Sequence, residues 1–137
     1  MADLSLLKTL LSQRFPERDP TRSERQFFDR RPEVAGYAAP DQRVVINPGF
    51  HGNRDSIVVN EGFRQLFRQR PDLVPSDLTI LPSQNFGPEY ANNPQATRES
   101  ILARLLSGDP SGSPYTWQQE EASRRVMEYL KRDGPQD

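Results

Sequence analysis

One histidine and no cysteine leave this 137-residue chain few side chains able to do covalent or metal chemistry. Without cysteine there is no disulfide framework, no thiolate zinc site and no thiol nucleophile. His51 stands in Pro48-Gly49-Phe50-His51-Gly52-Asn53, where it would act as a general base only beside a nucleophile and an orienting carboxylate. The reading adopted for it is a surface loop. Gly49 and Gly52 are not followed by the Lys-Ser/Thr pair of a phosphate cradle. No catalytic residue, cofactor or metal is therefore assigned. What remains is guanidinium chemistry, because 16 of the 18 basic residues are arginine and only Lys8 and Lys131 are lysine. A GC-rich coding genome accounts for that bias. So does function, since arginine offers five donors in a planar fork that suits carboxylates and backbone carbonyls in protein interfaces.

The elements that position these groups are built from little apolar material. Leu, Ile, Val and Phe make up 31 of 137 residues, just above the ~20% typical of disordered chains, so the core is expected to be small. The length suits one domain. A net charge of -1 argues against a dedicated partner in nucleic acid or anionic membrane. No segment nears the ~20 apolar residues that span a bilayer, and the N-terminus lacks a signal-peptide pattern, so a soluble protein without membrane contact is expected.

Leu4, Leu7 and Leu11, widened by Leu6 and Leu10, predict a helix from Asp3 to Phe15 that Pro16 stops. It is either the edge of the core or an arm that docks on another chain. Thr21 and Glu24 spell a capping box for a short helix through Phe27 and Phe28. The stretch from Pro32 to Pro40 reads as irregular. Arg43 to Ile46 is the strand candidate, with its partner expected in Leu78 to Leu81 or in a neighbouring molecule. Asp55 or Ser56 is expected to cap a helix from Ile57 to Gln69, with Val59, Phe63, Leu66 and Phe67 buried and Arg64, Arg68 and Arg70 outside. From Pro71 to Asn93 the chain reads as a linker. Asn93 as cap, Pro94 in the first turn, the face Ile101, Leu102, Leu105 and Leu106, and Gly108 with Pro110 as stop define the next helix. Thr116 and Gln119 form a second capping box before a last helix through Ala122, Val126, Met127 and Leu130. The two are expected to form an antiparallel hairpin, followed by a polar tail from Gly134 to Asp137.

The run Val58-Val59-Asn60-Glu61-Gly62-Phe63-Arg64-Gln65-Leu66-Phe67 resembles the active-site helix of zinc metallopeptidases in its apolar lead-in and its Glu. The two ligand positions of that family are here Asn60 and Arg64, and arginine cannot ligate zinc. Glu61 is instead expected to pair with Arg64 or Gln65 at the helix surface. A second likeness spans roughly residues 27 to 130. The strand-like Val44-Val45-Ile46-Asn47-Pro48, the Asn60-Glu61 helix and above all Ile101-Leu102-Ala103-Arg104-Leu105-Leu106-Ser107-Gly108-Asp109-Pro110-Ser111 resemble small uncharacterised proteins of tailed bacteriophages of aquatic bacteria. That resemblance implies a phage setting and a virion component, and it transfers no catalytic residue.

These readings combine into a mainly α fold of three to four helices with a short β element and long extended loops. Residues 1–31 form an N-terminal helical arm, and residues 32–137 a small mainly-α domain ending in the helical hairpin. A core near Val59, Phe63, Leu66, Ile101, Leu102, Leu105, Val126 and Leu130 is expected. The function expected is that of a non-enzymatic structural or accessory virion protein. It would bind capsid, portal or tail proteins, in a homo- or hetero-oligomeric assembly, through apolar anchors rimmed by arginine. The anchors expected are Leu4, Leu7, Leu11, Phe27, Phe28, Phe50, Phe86, Tyr90 and Trp117. The alternative is an inactive zincin-like or host-interaction domain acting as a free monomer.

Overall fold

The N-terminal leucines find their home inside the same chain. A computed structural model describes residues 4–80, 90–107 and 116–132. In it helix α1 (Leu4–Arg14) lays Leu7 and Leu11 against helix α3 (Arg54–Gln69), both leucines wholly buried, with Phe15 sealing the end. The alternative of an arm docking on another chain is thereby replaced by docking in cis. The contact is close because Gly62 faces α1, and a Cβ there would stand 3.0 Å from that of Leu11. Leu6, on the far side of the expected stripe, is exposed.

Helix α2 (Arg22–Arg30) starts on the expected capping box: the Glu24 amide donates to Thr21 Oγ1 at 3.2 Å, and the Thr21 amide to Glu24 Oε1 at 2.8 Å. Arg18 grips the same carboxylate with two bonds of 2.7 and 2.9 Å and reaches Asp41 at 2.8 Å. Arg18's bonds, against the cost of burial, hold the Glu24 carboxyl down at about 2. This network ties the start of α2 to the hairpin turn.

The irregular reading of residues 32 to 40 is corrected here. Strand β1 (Gly36–Ala38) pairs antiparallel with β2 (Val44–Ile46), Tyr37 opposite Val45, so neither residues 78 to 81 nor a second molecule is needed as the strand partner. Residues beside Glu17 cover the other edge of β2, where Val44 bonds to Pro16 and Arg18. All three β2 residues are buried because the hairpin is covered on both faces. Val44 and Ile46 join the main core against α3, whereas Val45 packs with Phe28 and Ala39 in a smaller cluster under α2.

Helix α3 begins three residues earlier than expected. Asn53 is its cap, accepting from the Ser56 amide at 3.1 Å, in place of Asp55 or Ser56. Val59, Phe63, Leu66 and Phe67 are fully buried as the spacing predicted, and Phe63 stacks on Phe67. The following stretch carries its own anchors: a 3₁₀ turn at Pro71–Leu73, then Leu73, Val74 and Leu78 buried. Arginines hold its carbonyls, Arg98 on Leu78 at 3.0 Å and Arg125 on Asp72 at 3.1 Å. Helix α4 (Pro94–Leu106) has the expected Asn93 cap, accepting from the Ala96 amide, and buries Ile101, Leu102, Ala103 and Leu106. Leu105 is only partly buried against that core. Helix α5 (Thr116–Arg132) packs Ala122, Val126 and Leu130 against it and touches α4 and α1. The Gly108 cap, the capping box at Thr116 and Gln119, and the tail from Gly134 lie outside the described residues or side chains.

Among the described residues the fold is mainly helical, with five helices where three to four were expected and one two-stranded antiparallel sheet. No helix among the described residues is long and apolar enough to cross a membrane.

Candidate functional site

The hairpin does not seal the polar side of α3. Between β1, the loop after β2, α3 and the last turn of α4 runs a groove of about 930 Å³. Gly36 sets how closely β1 approaches α3: a Cβ at that position would lie 2.8 Å from Ile57 and 3.2 Å from the Glu61 side chain. A side chain at 36 would force Ile57 or the hairpin to shift.

Among the described residues four guanidiniums line the groove, from Arg31, Arg64, Arg68 and Arg104, against two carboxylates, from Glu33 and Glu61. With every group ionised this described lining is positive by two charges, on a chain whose net charge is -1. Arg31 pairs with Glu33 at the rim. Arg68 donates to the Ala38 carbonyl at 2.6 Å, which fastens the end of β1. Arg64 holds Asn60 at 3.1 Å and the Tyr90 hydroxyl at 2.8 Å. Asn60 reaches the Ser107 hydroxyl at 3.4 Å, and Ser56 donates to the Ser107 carbonyl at 3.1 Å. One polar network thus joins the floor of the groove to the C-terminal end of α4, and Asn60 and Arg64, the positions of the metallopeptidase ligands, bond to each other.

Glu61 pairs with Arg64 as expected, but it does not lie at the helix surface. Its side chain is 13% exposed, and the nearest cation, Arg64, stands at 3.9 Å. Burial pushes its carboxyl above the usual carboxylate range, against the pull of Arg64, Arg68 and Arg104. Burial likewise raises Glu99, which accepts from Gln95 at 3.1 Å. For Arg64, burial disfavours the charged form, but Glu61 and Tyr90 outweigh it and hold the guanidinium above its ordinary value.

The sign of the Glu61 shift makes a prediction. A carboxyl that binds its proton more tightly folded than unfolded contributes stability below the unfolded value of about 4.5, lost as pH rises through the higher folded value. Glu61→Gln keeps the shape and removes the charge. Its melting temperature should match the parent near pH 4 and exceed it by a few degrees at pH 7. A thermal melt series across that range checks this, and a difference independent of pH would show that Glu61 is not the group being titrated.

Of the nine anchors expected from sequence, Phe27, Phe50 and Tyr90 line the groove. Phe27 stands out at its mouth, 38% exposed. Leu7, Leu11 and Phe28 are corrected: they are buried within this chain and present nothing to a partner. Leu4 and Trp117 lie on α1 and α5 with side chains outside the description, and Phe86 falls outside the described residues. His51 is exposed and does not join the groove's described lining. Sequence reading missed Glu61, Arg68 and Arg104 as parts of one site, and also Tyr37, which lines the groove together with Phe27 and Phe50. No group of metal-ligating side chains occurs among the described residues. Compared with protein-family models, curated proteins and solved structures, the chain has no match.

Proposed function

We propose that this chain is a non-enzymatic accessory protein that holds a segment of another protein in the groove. The resemblance of residues 101 to 111 to tailed-phage proteins supports a component of the virion, in capsid, portal or tail, as that partner. The observation that carries the reading is the convergence of Phe27, Phe50 and Tyr90 with Arg64, Arg68 and Arg104 in one concavity. Aromatic side chains and arginine are the groups that dominate protein interfaces. They combine large contact area with directional bonding. A catalytic reading lacks this support, since neither a cysteine nor the single histidine stands beside Glu61.

The test places a photo-crosslinking phenylalanine analogue at Phe27 and irradiates infected cells and purified particles. The expected result is an adduct with one virion protein and co-purification of the chain with particles at fixed copy number, which separates a shell protein from a portal or tail ring. Absence from particles, with no adduct, would overturn the proposal.

A further inference from the structure

We infer that the groove takes an extended acidic segment, its carboxylates on Arg64, Arg68 and Arg104 and its apolar side chains along Phe27, Tyr37 and Phe50. This rests on the partner-binding reading above and names the chemistry of the partner.

Three observations favour that occupant. The first is charge: the described lining of the groove is positive by two on a slightly negative chain, so an anionic segment is drawn to this concavity. The second is the kind of cation. Guanidiniums match carboxylates with two parallel bonds, and arginine clusters recur where acidic motifs are read. Arg68 and Arg104 come from different helices and converge on the same space, so they can hold successive carboxylates of an extended chain. The third is what accompanies them. Glu33 and Glu61 share the lining with aromatic and aliphatic groups. A phosphodiester backbone, with a charge at every unit, would meet those carboxylates, whereas a peptide that alternates acidic and apolar side chains places its charges only where the arginines stand.

Glu61 adds a directional consequence. It shares the groove with Arg64 and Arg68 from its own helix, Arg104 from α4, Tyr90 before α4, and Arg31, Glu33 and Tyr37 from the hairpin side as the charged or titratable groups, and Glu99 acts on its partner Arg64. An incoming carboxylate makes the charged form of Glu61 less favourable, so binding takes up a proton and tightens as pH falls, until the ligand's own carboxylates are protonated.

The experiment titrates the full chain, by amide chemical shifts, with an acetylated and amidated peptide of about eight residues alternating glutamate and leucine. The same peptide with glutamine for glutamate and an oligothymidylate of similar length serve as comparisons. The expected result is binding of the acidic peptide with shifts at Gly36, Arg64, Arg68 and Arg104. Affinity should be at least tenfold lower for the glutamine peptide, and about tenfold lower for an Arg68→Gln, Arg104→Gln variant whose melting curve shows it folded. Raising the salt supplies the second measurement: tightness should fall with ionic strength for the acidic peptide and not for the glutamine one. Equal binding of both peptides would overturn the acidic occupant while leaving partner binding in place. Preferential binding of the oligothymidylate at the same residues would overturn it in favour of nucleic acid. Absence of shifts in the groove with the acidic peptide would overturn it too. The partner-binding reading itself fails only with the crosslinking experiment.

Discussion

Gly62→Leu is expected to destabilise the chain by about 3 kcal/mol, the upper end of what overpacking a fitted contact costs. Gly62 is buried in the middle of α3, where glycine is the poorest choice for helix stability apart from proline. Its presence is explained by what crosses it. A Cβ at 62 would stand 3.0 Å from the Cβ of Leu11, 3.3 Å from its Cδ1 and 3.4 Å from its Cγ. A leucine side chain has no place to go without pushing α1 off α3, and with α1 go Leu7, Leu11 and Phe15. Total stabilities of such domains run about 5–15 kcal/mol, so this loss is a large part of the whole. Urea unfolding at neutral pH measures it. Gly62→Ala should stay close to the parent, because a helix gain of about 1 kcal/mol offsets the crowding of one methyl. Adding Leu11→Ala to Gly62→Leu should cost less than Leu11→Ala costs alone, since the two changes share one space. An unchanged urea midpoint in Gly62→Leu would mean that α1 is not seated on this face.

The same helix shows which parts of the fold were legible beforehand. The leucine stripe of α1 marked a buried face, but periodicity says nothing of what buries it, and a terminal position left an arm as open as a core element. Helix α4 was legible in full at its start because Asn93 and Pro94 act locally, through a side-chain oxygen and a fixed φ. The capping box at Thr21 was legible for the same reason. Strand β1 was not: Gly36, Tyr37 and Ala38 carry no β-branched residue, and their extended state comes from pairing with β2 and packing on α3.

The groove was the least legible part. Asn60, Glu61, Arg64 and Arg68 have the spacing of a solvent face, and only the hairpin laid beside them turns that face into a floor. The arginine bias resolved into two uses. Arg68, Arg98 and Arg125 clamp carbonyls of chain outside the helices, which lets long connections pack in a protein with so little apolar material. Arg64, Arg68 and Arg104 line the groove. Through the first use Leu73, Val74 and Leu78 find homes within the chain.

Gln65 carries the second large prediction, because the hairpin that forms the groove depends on it. Sequence spacing offers Gln65 as a surface neighbour of Glu61. In the fold it is 3% exposed, and its amide donates to the Ala39 carbonyl at 2.7 Å and to the Arg43 carbonyl at 2.9 Å. Those two residues bracket the turn, in which Gln42 adopts a left-handed φ of 64°, a conformation that costs a residue with a side chain about 1 kcal/mol. One side chain from α3 thus closes the turn from below. Gln65→Leu keeps the volume and deletes both bonds, at an expected cost of about 2 kcal/mol. Gln65→Glu is isosteric and should cost more, about 3 kcal/mol at pH 7, because a buried carboxylate would face two carbonyl oxygens. Acid should relieve that second variant. Its carboxyl binds a proton more readily folded than unfolded, so the penalty is small below the unfolded value of about 4.3 and grows as pH rises beyond it. Denaturant melts at pH 4 and pH 7 separate the two variants: Gln65→Leu should lose the same amount at both, Gln65→Glu chiefly at the higher. Equal losses for Gln65→Glu at both values would mean that the side chain has swung out to solvent and that the hairpin closes without it. In either variant the Gly36 and Tyr37 amides should exchange faster than in the parent, since a loosened turn frees β1 first. The groove would open with it, so the same variants should bind an acidic peptide more weakly though neither alters a groove arginine.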